Sequence, residues 1–162
     1  MTFDSIYTSE LPYVLNTLRR LGVRLRDLED LAHDVFVIVH RQFDKFDQGR
    51  PLRPWLFGIS FRVASTYRRK HSHAREELDE RRAELAGADP WPVHRTRQQV
   101  VKALQQLEWE CRAVMIMHDI DGATAAEIGE TLQMPVNRVY SRLRIARRDF
   151  RTAMGALQKE AG

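Results

Sequence analysis

The 162-residue chain has a single cysteine, Cys111, so no disulfide can close within it, and a reducing cytoplasm suits it. No apolar run approaches the ~20 residues of a membrane span. The opening stretch MTFDSIYTSE carries an acid and no basic segment, so it does not read as a secretion signal. A cytoplasmic chain without membrane insertion is therefore expected. Glycine and proline are scarce, 8 and 6 residues, and neither an internal repeat nor a low-complexity tract is present. One further absence is local. Between Pro135 and Arg148 there is no acid, although the chain holds 22.

What is present points to a helical globular protein. Hydrophobic residues make up 43% and charged residues 30%, which excludes a disordered chain. Lys plus Arg outnumber Asp plus Glu by 26 to 22, with a pI near 9.6. This balance favours a polyanionic partner without requiring one. The excess sits in residues 1–70, which hold 12 basic and 8 acidic side chains.

Apolar spacings of three and four recur along the chain. Leu11, Val14, Leu15, Leu18 and Leu21 predict a helix over 10–21 that stops at Gly22. Asp27 is placed to cap a second helix carrying Leu28, Leu31, Val35, Val39 and Phe43. Its β-branched centre, VFVIV, would read as a strand in isolation, but the longer period makes it helix. The turn-rich DKFDQGRPLRP follows. Pro54 then fits the first turn of a third helix reaching about Lys70, with Trp55, Ile59, Val63 and Tyr67 on one side. Phe36 and Trp55 are expected in the core. Residues 71–97, with the charged REELDERRAEL and the proline-containing AGADPWPV, read as a linker. Periodicity resumes at Val100, Val101, Leu104 and Leu107, and continues through Val114, Met117 and Ile120. Cys111 reads as a small core or helix residue. The expected fold is all-α: two small helical domains, 1–70 and 98–162, joined by a charged flexible linker, neither large enough to be very stable alone.

The C-terminal block carries the first functional signal. TAAE, Thr124 to Glu127, matches a capping box opening a short helix with Ile128 and Leu132 inward. A tight connection and Pro135 then lead into another helix, the elements of a helix-turn-helix. Projected at 100° per residue, Val136, Val139, Leu143, Ala146 and Phe150 share one stripe. Asn137, Ser141, Arg144 and Arg148 lie opposite, with Arg138 and Arg142 on one shoulder and Arg147 and Arg151 on the other. Forked guanidiniums with Asn and Ser are what base edges and phosphates in a major groove require.

The N-terminal block carries the second. Asp27, Glu29, Asp30 and Asp34 cluster near the start of the second helix, where acids also complement the helix dipole. Phe43, Phe46, Trp55, Phe57, Phe61 and Tyr67 interleave with arginines and lysines, the combination that unpaired bases stack on. Histidines offer little to a metal: His33 and His40 stand seven apart, and His71 and His73 have no third ligand at a recognisable spacing. No metal, cofactor or catalytic residue is expected.

These two blocks together carry a resemblance. DLEDLAHDVF and FDKFDQGRPLRPWLFGISFRVASTYRRK resemble region 2, and HDIDGATAAEIGETLQMPVNRVYSRLRIAR resembles region 4, of RNA polymerase sigma factors of the extracytoplasmic-function group. The resemblance covers about residues 10–70 and 98–151. It implies that the chain binds core RNA polymerase through Asp27, Glu29, Asp30 and Asp34. It implies that Phe46, Arg50, Arg53, Arg62, Thr66 and Arg69 meet the melted −10 element as single strand. It also implies that Asn137, Arg138, Ser141, Arg142, Arg144 and Arg148 read the duplex −35 element, and that an anti-sigma factor holds the protein in check. The pattern departs from the group at four positions. Arg62 stands where Asn is usual, Thr66 where Asp or Asn is usual, Tyr140 where a basic residue is common and Ile145 where Arg is common. Ile145 projects toward the polar face. A helix-turn-helix regulator that never joins polymerase is the competing reading, and the N-terminal block is what distinguishes the two.

Overall fold

A computed structural model describes residues 1–71 and 92–161. Helix α1 spans Phe3–Leu21 and starts seven residues earlier than its leucines suggest. The Thr2 hydroxyl accepts from the Ser5 N–H at 3.2 Å while Ser5 Oγ accepts from the Thr2 N–H at 3.1 Å, a reciprocal cap that starts the helix upstream. Ile6 uses the added turn to reach the core, and Pro12 sits inside the helix at the loss of one backbone bond. Helix α2 spans Leu28–Gln42 and buries Leu31, Ala32, Val35, Phe36 and Val39, so the β-branched stretch is helical. Asp27 stands at its N-cap position but makes no side-chain cap. Its carboxylate accepts from the Tyr67 hydroxyl at 2.7 Å, which fastens the start of α2 to the far end of α3.

Helix α3 spans Leu52–Lys70, ending where the periodicity predicts. Its buried set, Leu56, Phe57, Ile59, Ser60 and Ala64, is wider than the expected stripe, and Trp55, Val63 and Tyr67 are only half-buried. The reason is that α3 has two faces to cover: one packs on α1 and α2, the other on the C-terminal block. That block begins with α4, Pro92–Gln105, inside the stretch expected as linker. The rest of that stretch, beyond His71, lies outside the described residues. Helix α5 (Trp109–Met115) runs into a π-helical turn over Ile116–Ile120, followed by α6 (Ala125–Leu132) and α7 (Val136–Ala161). Helices α4, α5 and α6 all pack on α7. Among the described residues there is no strand, and no helix is long and apolar enough to cross a membrane.

One hydrophobic cluster runs through both blocks, from Val14, Leu18, Val35 and Phe57 to Leu104, Val114, Ile128 and Val139. The junction is polar at its centre. A helix leaves its last carbonyls without partners. Here α1 ends at Gly22 (φ 111°), and the C-terminal block completes it: Arg112 Nη1 donates to the Leu21 carbonyl at 2.8 Å, and Gln105 Nε2 to that of Arg20 at 3.2 Å. Arg112 Nη2 also donates to the carbonyls of Gln105 (2.9 Å) and Leu107 (3.1 Å). The residue is 5% exposed, and burial, with Arg68 nearby, pulls its pKa down to about 10. It stays charged at neutral pH, against a helix end of opposite partial charge.

Around this clasp, Trp109 stacks on Phe61 at 5.1 Å between ring centres and donates Nε1–H to Ser65 Oγ at 3.2 Å. Tyr13 donates its hydroxyl to Asp121 at 2.7 Å, and burial together with that carboxylate drives its pKa far upward. Two substitutions test the clasp. At Gly22 a Cβ would lie 2.4 Å from Gln105 Oε1, at a φ that L-residues adopt at a cost of about 1–2 kcal/mol. Gly22→Ala is therefore expected to lower the urea midpoint. Arg112→Met strands three carbonyl oxygens and should cost about 3–5 kcal/mol in the same titration. A midpoint within error of the unaltered chain would refute the junction.

Candidate nucleic-acid interface

The helix-turn-helix is built from local rules. Thr124 Oγ1 accepts from the Glu127 N–H at 3.1 Å and Glu127 Oε1 from the Thr124 N–H at 3.3 Å, the capping box that the sequence announces. Helix α6 ends at Gln133 in the left-handed region (φ 56°), and the Met134 N–H closes on the Gly129 carbonyl at 2.9 Å. A Cβ at Gly129 would lie 2.7 Å from the Met134 carbonyl oxygen, so the turn folds this tightly only over glycine. The Pro135 carbonyl accepts from the N–H groups of Arg138 and Val139, starting α7 at once.

Val139, Leu143 and Ala146 are buried beneath α7, and Phe150 is half-buried. Two expectations need correction. Val136 is 42% exposed, because the packed stripe begins one turn later, at Val139. Ile145 does not face the polar side but packs against the core, since α4, α5 and α6 all cover α7.

The outer face of α7 presents Asn137, Tyr140, Arg144 and Arg148 as exposed side chains, with Ser141 half-buried among them. Its bases are less bare than the acid-free stretch suggests. Glu110, in the first turn of α5, accepts from Arg138 Nη2 at 2.8 Å and from Arg142 Nε at 2.9 Å. Partial burial of Glu110 raises its pKa, but the two guanidiniums outweigh this and hold it below the ordinary carboxylate value. Asp119 takes Arg147 in a two-point pair, Nε at 3.0 Å and Nη2 at 2.7 Å, and the same partner lowers its pKa. Arg148 bonds its neighbour Asp149 at 3.1 Å. Glu110 and Asp119 were invisible as parts of this site because no helical period relates them to α7; only tertiary packing brings them there.

In the N-terminal block, Phe46 stacks on Trp55 with ring centres 4.3 Å apart. Arg50 forms an ion pair with Glu130 of α6. Arg53 bonds Glu10 at 3.1 Å and lies over the Tyr13 ring at 4.8 Å. On α3, Arg62 donates Nε–H to the Gly58 carbonyl (3.3 Å), the Thr66 hydroxyl donates to the Arg62 carbonyl (3.2 Å), and Arg69 donates to Thr66 Oγ1 (3.4 Å). Arg62 and Thr66 line a groove of about 500 Å³ between α2 and α3, whose opposite wall holds Leu31, Asp34 and Ile38. The six residues thus fall into two groups, Phe46, Arg50 and Arg53 at the loop and Arg62, Thr66 and Arg69 along α3.

Of the acidic cluster, Glu29, Asp30 and Asp34 are exposed, and Asp27 is half-buried under its bond to Tyr67. Burial and that bond raise Tyr67 to about 12. Cys111 is buried, and burial with the nearby Glu108 lifts its thiol to about 11, so it carries no reactive thiolate. Among the described residues no group of three or more His, Cys, Asp or Glu could hold a metal ion.

Comparison with known proteins fits both blocks. The family model of Sigma-70 region 2 matches residues 6–74, and that of Sigma-70 region 4 matches residues 97–150. The chain is 28% identical over 156 residues to the ECF RNA polymerase sigma factor SigE of Mycolicibacterium smegmatis, covering 93% of this chain and 60% of that protein. It is 29% identical over 143 residues to the RNA polymerase sigma factor CnrH of Cupriavidus metallidurans, covering 80% of this chain and 74% of that one. Two solved structures share the fold. CnrH in complex with the cytosolic domain of CnrY superposes with a TM-score of 0.70 at 23% identity, over 95% of this chain and 88% of that one. RpoE from Bartonella quintana, in complex with the anti-sigma factor NepR, gives 0.72 at 20% identity, over 94% and 96%. With both regions matched in order, the chain belongs to the extracytoplasmic-function group of Sigma-70 family RNA polymerase sigma factors.

Proposed function

We propose that the protein joins core RNA polymerase and directs promoter-specific initiation, with residues 1–70 opening the −10 element and residues 98–162 reading the −35 element. The observation that carries this is the pairing, in one chain, of an outward basic recognition helix with a second module whose exposed face combines acids, arginines and stacked aromatics. A regulator that only binds duplex DNA has no use for the second module. The chain supplies binding rather than chemistry. Contacts to unpaired bases offset the unstacking cost of a few kcal/mol per flipped base.

The residue assignments follow the same logic. Asn137, Ser141 and Arg144 face base edges, Arg138 and Arg142 stand at the shoulder, and Arg148 takes phosphate. Phe46, Arg50 and Arg53 cradle the displaced strand, while Arg62, Thr66 and Arg69 meet it along α3. Arg50 and Glu130 are both more than half exposed, so exchanging that carboxylate for a phosphate costs little. Glu10 is far more enclosed, 14% exposed, so Arg53 gives up a stronger partner. Glu29, Asp30 and Asp34 form the surface for polymerase, with Asp27 holding the edge of that surface in place. An anti-sigma factor is the expected inhibitor, since the solved relative from Bartonella quintana carries one. The compartment is the cytoplasm, where polymerase works.

The direct test is transcription in vitro with core polymerase on a promoter library. Enrichment of one paired −35 and −10 sequence is expected; failure to bind core, or initiation without sequence preference, refutes the proposal. Asp30→Lys should weaken polymerase binding at least tenfold in a competition assay and leave duplex binding unchanged. Arg142→Ala should cost about 1–3 kcal/mol at one position of the upstream element, with the other positions unaffected.

A further inference from the structure

Within the proposed role of α7 as the duplex reader, the geometry points to Glu110 as a positioning residue that aims Arg142, and with it Arg138, at base edges. One oxygen, Glu110 Oε2, accepts from both Arg142 Nε and Arg138 Nη2, at 2.9 and 2.8 Å. The way Arg142 is held is informative. Its bond to Glu110 uses Nε, so both Nη nitrogens, the pair that takes the O6 and N7 of guanine together, remain outside the ion pair. An arginine carries a large side-chain entropy, and fixing it on binding normally reduces what its contact yields. A carboxylate that fixes the guanidinium beforehand removes that cost and sets the plane of the fork.

The arrangement differs from the other ion pairs on this helix. Asp119 binds Arg147 at both Nε and Nη2, which occupies one whole edge of the guanidinium. That pair suits a tether to the π-helical turn better than an aimed reader. Arg144, exposed on the same face, pairs with no carboxylate among the described residues and suits an adaptable contact. Glu110 itself is anchored: it sits in the first turn of α5, its N–H donating to Glu108 Oε1 at 3.2 Å, and α5 is locked two residues later by the buried Arg112. The carboxylate therefore has a fixed origin, which a pre-aiming role requires.

A positioning carboxylate beside DNA makes two predictions of opposite sign. It sharpens base selection, and its charge repels the phosphate backbone. Holoenzyme assembled from the full chain and core polymerase would be assayed for open-complex formation on a library with every base at each upstream position. The full chain alone would be titrated with a scrambled duplex across salt concentrations. Arg142→Ala identifies the position that Arg142 reads. At that position Glu110→Ala is expected to reduce discrimination about tenfold, while affinity for scrambled duplex rises about threefold. Glu110→Gln keeps an oxygen acceptor and loses the charge, so it should show the same rise with most of the discrimination retained. If Glu110→Ala leaves discrimination at that position intact, the inference is overturned and the reader assignment survives. A drop in specific and scrambled binding together would also overturn it, by making Glu110 merely structural. If Arg142→Ala changes no single position, the reader assignment itself fails and the inference goes with it.

Discussion

A buried guanidinium under the end of a helix organises this molecule. Arg112 is charged and nearly inaccessible; its two Nη groups donate to three carbonyls, one of them the Leu21 oxygen at the end of α1, while its buried Nε has no hydrogen-bond partner among the described residues. A buried cation is costly unless its donors are engaged, and helix carbonyls are costly unless they are met. Each group answers the other across the junction of the two blocks. The flat face of Trp109, 5.3 Å from the same guanidinium and 4.8 Å from that of Arg68, completes the enclosure. Small helical modules rarely bury enough apolar surface to be very stable alone. Here the apolar cluster is continuous between them, and the polar clasp fixes which surfaces meet.

The seven-residue helix α5 links that constraint to α7. Arg112 points inward to α1, Cys111 is buried beside it, and Glu110 reaches outward to α7. Consecutive residues of a helix differ in direction by about 100°, so one short turn can face the junction, the core and α7 in succession. Glu108 caps the same turn, accepting from the N–H groups of Glu110 and Cys111 at 3.2 and 3.1 Å. The orientation of the shoulder formed by Arg138 and Arg142 is thereby tied to the packing of the N-terminal block.

Much of this was legible in the residues. The period of α2, the end of α3, the stop at Gly22 and the capping box at Thr124 are local signals, and the structure obeys them; the buried face of α3 is not, since that helix is packed on two sides. The early start of α1 was missed because Thr2 and Ser5 make a weaker signature than the leucines that follow. Asp27 was misread as a cap because the hydroxyl of Tyr67, forty residues away, competes for its carboxylate. Ile145 was placed outward by a projection that could not know how many helices cover α7. The candidate sites divide along the same line. Which side chains crowd one face of α7 follows from a 3.6-residue period, but which acids neutralise them follows only from the fold.

That division explains the acid-free run itself. Acids placed between Val136 and Arg148 would share the face of α7 with its bases. Acids supplied from α5 and from the π-helical turn approach from the flank instead, pairing Arg138, Arg142 and Arg147 at the shoulders. The outer ridge of Asn137, Tyr140, Arg144 and Arg148 stays exposed. The total charge near the helix is moderated, and long arginines are held rather than left to collapse on one another. An unbroken basic stretch is therefore not a surplus of charge. It marks a stretch of helix whose counter-charges come from α5 and the π-helical turn for Arg138, Arg142 and Arg147, and from the adjoining Asp149 for Arg148.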